Sequence, residues 1–235
     1  MGKRDKKDMI LNGDIYKTLI VLSFPIMVNN LIQTLYNLAD GIWVSKLGSV
    51  QFAATSFVWP VNFLFISIGF GLSIAGTSIL SQFIGANKYK EANEHANQII
   101  VISMITSVVF AIIGYIISPY IIKLMGATGD LAKYSNIYLK ITFLDMPFMF
   151  LFFNFNSIMT AQGNTLTPTI LSGISAVLNV ILDPIFIFTL DMGIAGAAIA
   201  TLLARAMLAI AGICVLILSS TMIRPSIKIL NSIRK

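Results

Sequence analysis

Long apolar runs broken by short polar segments organise this chain. In order, they fall at residues 15–44, 51–83, 97–122, 131–159, 168–190 and 193–218. Each can cross about 30 Å of hydrocarbon at about 1.5 Å of rise per residue, so each predicts a membrane-spanning α-helix. The runs are continuously apolar rather than alternating, which argues against a transmembrane β-barrel. The pattern predicts an all-α bundle of six transmembrane helices at 15–218, with polar flanks at 1–14 and 219–235.

Composition supports this class. Apolar residues make up 57% of the chain and charged ones 11%, less than half the charged share of an ordinary soluble domain. A net charge of +6 invites a nucleic-acid reading, but the basic residues cluster at the termini and in one short loop, as topology signals do. With six spans and an inside N-terminus, the inner side collects Lys3, Arg4, Lys6, Lys7, Lys17, Lys88, Lys90, Arg224, Lys228, Arg234 and Lys235. The outer side holds Lys46, Lys123, Lys133 and Lys140. This bias predicts a multi-pass protein of the cell membrane with both termini cytoplasmic. Cys214 lies in an apolar run and reads as a small buried core residue.

Several polar residues inside the runs need a reason. In LNVILDPIF at 178–186, Asn179 precedes Asp183 by four residues, which stacks the two on one helix face. Pro184 follows and leaves a carbonyl one turn back without its donor. In the first run, Asn30, Gln33, Asn37 and Asp40 recur at three- and four-residue steps along one face. Pro25, near the start of that run, predicts a kink or hinge. Such a stripe glues helices together or walls an aqueous cavity. Counted from the outer ends, Asp183, Tyr138 and Thr201 lie about 12 Å deep and Asp40 about 9 Å. Two carboxylates, an amide, a phenol and a hydroxyl then meet in the outer half of the bundle, oxygen donors that suit Na⁺ or a proton. Asp145 and Arg205 lie deeper, about 22 and 21 Å from the outer side, and read as a structural ion pair between two helices. Ser67, Gly71 and Ala75 predict a close-packing face, and His95 reads as an interfacial helix residue. No phosphate-binding loop, metal-ligand cluster or Ser/His/Asp set is visible, so neither an enzyme nor a cofactor is expected.

At these residues the chain resembles the multidrug and toxic compound extrusion (MATE) family of secondary antiporters. The likeness shows in FPIMVNNLIQTLYNLADGIWVSKLG at 24–48, GFGLSIAGTSILSQFIGANKYKEA at 69–92 and AQGNTLTP at 161–168. It continues in LNVILDPIFIF at 178–188 and GIAGAAIAT at 193–201. Five such segments in this order are specific. The resemblance implies the family's N-terminal six-helix lobe, with ion-coupling residues at Asp40, Asn179, Asp183, Tyr138 and Thr201 and a bending proline at Pro25. It implies export of organic, often cationic compounds in exchange for Na⁺ or H⁺, through a cavity shared with a second lobe. Family members have two six-helix lobes; the residues after 218 resemble the start of the linker between them. Either a C-terminal lobe or a second copy is therefore an expected partner, beside the lipid bilayer. Two alternatives stand: a lipid or polysaccharide flippase of the same superfamily, and an inactive truncated half-transporter. Asp145 departs from the family pattern, in which a small neutral residue is expected before that proline.

Overall fold

A computed structural model describes residues 13–218; the flank at 1–12 and the basic tail at 219–235 lie outside the described residues. Six helices follow one another: α1 (Ile15–Ser45), α2 (Ser49–Gly85), α3 (Tyr89–Leu124), α4 (Gly129–Ala161), α5 (Leu166–Pro184) and α6 (Gly193–Leu218). Each is long and apolar enough to cross a membrane. Loops of three or four residues join the first five, and eight residues, five of them in a π-helical turn, lead from α5 to α6, so consecutive helices run antiparallel. The helices start and stop for local reasons. Asp14 caps α1 by accepting the Lys17 amide at 3.0 Å, and Asn87 (φ 61°) and Gly126 (φ 85°) turn the chain after α2 and α3.

Several helices outrun the apolar windows that announced them. α3 begins at Tyr89 rather than at residue 97, because a helix continues through its polar first turns while hydropathy marks only the hydrocarbon-depth part. α5 does not end as an α-helix. After Pro184 it runs through a π-helical turn, Ile185–Thr189, closed by the Leu190 amide donating to the Ile185 carbonyl at 2.9 Å.

The core is built on α4, which packs against α2, α3 and α6. At the α2–α3 loop end, Leu80, Ala92, Phe155, Ile158 and Leu216 interlock. Toward the α3–α4 loop, Val58, Ile122, Leu139, Phe143 and Met146 do so. Close approach is set by Gly76, whose missing Cβ would stand 2.7 Å from Ser157 Oγ on α4. The predicted packing face at Ser67, Gly71 and Ala75 is instead exposed. Cys214, expected in the core, is exposed too. Both corrections share a cause: lipid tails are as apolar as a core, so hydropathy does not separate the two faces of a spanning helix.

α1 stands apart. Its one fully buried side chain is Val44, and it packs chiefly on α5. Three polar contacts clasp it: Gln33 Nε2 donates to Ser172 Oγ at 3.1 Å, Thr169 Oγ1 donates to the Pro25 carbonyl at 3.0 Å, and the Tyr36 and Thr201 hydroxyls lie 3.1 Å apart.

Candidate functional site

Two adjoining polar regions lie between α1, α4, α5 and α6. The first is sealed. Asn179 and Asp183, both 0% exposed, face one another along α5, and Asn179 Nδ2 donates to Asp183 Oδ1 at 3.1 Å. The same amide reaches Thr201 Oγ1 on α6 at 3.4 Å. Asn179 Oδ1 and Asp183 Oδ2 are buried and accept no hydrogen bond from a described residue. The local sequence explains the placement. The four-residue spacing stacks the pair, and Pro184 with the π turn ends the regular helix directly after Asp183. Gly196 of α6 lets the backbone at Phe186 come close, since a Cβ there would stand 2.5 Å from the Phe186 carbonyl oxygen.

The second region is a pocket of about 320 Å³ lined by residues of α1, α2, α4 and α6, among them Asp40, Asn37, Tyr138 and Thr201. Asp40 is partly buried with Oδ1 unpartnered. Thr201 joins the two regions, touching Asn179 on one side and Tyr36 on the other. Asp145 and Arg205 meet: Arg205 Nη1 donates to Asp145 Oδ2. They also line the same pocket as Asp40, although counting residues from the outer ends sets them about 10 Å deeper. Arg205 follows Thr201 by one helical turn on the same face, so a long side chain spans the difference.

Of the remaining candidates, Pro25 and Gln33 hold α1 to α5, as described above, and lie outside the pocket lining. Asn30 is exposed, its carbonyl accepting the Thr34 hydroxyl at 2.9 Å. His95 stacks on Phe83 with ring centroids 4.6 Å apart, on a helix that lends no residue to the pocket lining. Sequence reasoning missed Tyr36 and Asn62. Tyr36 sits four residues before Asp40 on the same face, a spacing that could have found it. Asn62 is an amide within an apolar run, 6% exposed and lining the pocket.

A bundle of six spanning helices enclosing buried carboxylates and an aromatic-walled pocket defines a multi-pass membrane protein with an internal polar site. The chain belongs to the MatE family, whose sequence profile it matches over residues 25–185. It is similar to a probable multidrug resistance protein, YpnP, of Bacillus subtilis, with 29% identity over 82% of this chain and 44% of the relative. It is also similar to the multidrug export protein MepA of Staphylococcus haemolyticus, with 29% identity over 83% of this chain and 43% of the relative. Among solved structures, a MOP superfamily transporter from Pyrococcus furiosus superposes with a TM-score of 0.88 at 31% identity, over 97% of this chain and 52% of that one. The chain thus spans about half the length of the relatives it matches, and its fold corresponds to one six-helix lobe of a MATE transporter.

Proposed function

We propose that this chain is one lobe of an antiporter that moves organic, often cationic compounds out across the cell membrane in exchange for Na⁺ or H⁺. The observation that carries the reading is the pairing of a sealed carboxylate with a wider pocket. Asp183 and Asn179 each keep a buried oxygen that accepts no hydrogen bond, and Thr201 Oγ1 lies beside them. A hard cation takes oxygen donors of this kind, and a proton needs only the carboxylate. These residues would hold the coupling ion; the pocket at Asp40, with Tyr138 and Asn37 on its wall, would hold the cargo. Filling one side is felt on the other through Thr201, which hydrogen-bonds into both. Pro25 allows α1, and Asp40 with it, to change its bend.

A second six-helix lobe, or a second copy of this one, completes the transporter in this reading. Its support is the polar face of α1: Asn30, Gln33 and Asn37 are exposed at a depth where lipid offers them no hydrogen bond. The biased loop charges put both termini in the cytoplasm. A flippase for phosphate headgroups fits less well, because the one guanidinium lining the pocket is paired to Asp145.

The test uses the chain in lipid nanodiscs with ethidium as a fluorescent cation. Na⁺ at constant ionic strength, or added acid, should displace bound dye from the wild type. Asp183→Asn should still bind dye but lose the displacement. Equal displacement from both proteins rules the coupling site out.

A further inference from the structure

The pocket beside Asp40 carries two carboxylates, Asp40 and Asp145, and one guanidinium, Arg205. No other Lys, Arg, Asp or Glu among the described residues lines it. Arg205 donates to Asp145, so that pair sums to zero and one negative charge remains on the pocket wall, at Asp40; Asp183 lies behind Asn179 and Thr201 in the sealed region and is the same in every variant compared below. The pair belongs to the pocket rather than to a dry helix contact. The Arg205 side chain keeps 27% of its surface exposed. Asp145, 2% exposed, and Asn62, 6% exposed, each bear an oxygen that accepts no hydrogen bond from a described residue. A cavity of about 320 Å³ lies in the size range of small-molecule sites, and its acceptors are short of donors. In a site of low dielectric, uncompensated charge is expensive, so the ligand that closes the sum is favoured over one that overshoots it.

We infer that the Asp145–Arg205 pair fixes the charge class of the cargo: it holds the pocket at one net negative charge, so the pocket takes organic monocations and rejects dications. The inference rests on the export reading above and sharpens it. A monocation beside Asp40 neutralises the pocket. A dication leaves a surplus positive charge facing the Arg205 guanidinium. Arg205 is therefore a specificity-determining residue that never needs to touch the cargo, and Asp145 is the counter-charge that makes it tolerable inside the membrane.

The experiment compares ethidium, a monocation, with propidium, a dication on the same ring system, by fluorescence titration of the full chain in nanodiscs. Both dyes meet every variant, so their difference in size cancels when variants are compared. Wild type should prefer ethidium. Asp145→Asn combined with Arg205→Gln keeps one net negative charge, and its propidium-to-ethidium Kd ratio should stay within about twofold of wild type. Arg205→Gln alone leaves two negative charges, and that ratio should fall about tenfold or more. Adding Asp40→Asn to the double variant removes the last charge and should weaken both dyes. Should Arg205→Gln fail to fold, Asp145→Asn alone leaves no net charge on the pocket wall and should raise the ratio instead; a ratio unchanged from wild type in either single variant overturns the inference. A double variant that loses the monocation preference, or a triple variant that binds as tightly as wild type, overturns the inference while leaving the export reading intact. A wild-type chain that binds neither dye overturns both.

Discussion

Tyr36 shows how much one hydroxyl carries here. Its ring lines the pocket, and its oxygen, 3.1 Å from Thr201 Oγ1, ties α1 to the residue that also contacts Asn179. Tyr36→Phe keeps the ring and removes the tie, at a cost of about 1 kcal/mol. The melting temperature in nanodiscs should drop by about 2–4 °C, and Na⁺ should displace bound ethidium less effectively than from wild type. Thermal shift and the displacement titration check the two halves of this expectation separately; unchanged displacement would show that the hydroxyl is only a strut. The sequence made the acids and Asn179 legible, because a carboxylate or amide at hydrocarbon depth has few innocent explanations. Tyr36 escaped notice because a tyrosine in an amphipathic stripe is ordinary, and only its contact with Thr201, 165 residues away, gives it a role. That Asp145 and Arg205 line the same pocket as Asp40 escaped notice for a similar reason: counting along the axis locates a Cα, not the end of an arginine.

At the scale of helices, the six elements could be read from the apolar runs nearly to their ends, since a backbone in lipid must satisfy its own hydrogen bonds and helices do so. Which face of each helix packs could not. Gly196 and Gly71 make the contrast measurable. A methyl at Gly196 would meet the Phe186 backbone oxygen at 2.5 Å, whereas one at Gly71 finds nothing within 4 Å. Backbone cannot rotate aside as a side chain can. Gly196→Ala should therefore destabilise the lobe by about 1–3 kcal/mol, while Gly71→Ala should be neutral or slightly stabilising on helix propensity alone. Thermal unfolding of the two variants beside wild type checks this. Equal melting temperatures would mean that α5 and α6 are not in close backbone contact.

The bundle as a whole has a direction in the membrane that its charges predict. With Cys214→Ala as background, Lys88→Cys should label only from the cytoplasmic side with an impermeant maleimide, and Ser49→Cys only from outside. Labelling of position 88 from outside would invert the orientation. The clasp between α1 and α5 also orders events in time. Gln33 and its partner Ser172 are 139 residues apart, so at ribosomal speed α1 is made roughly 7–28 s before the helix it rests on. Through that interval α1 has α2 beside it but not α5, the helix it packs on most. Among the described helices the earliest made thus meets its main packing partner late, once α5 has been synthesised.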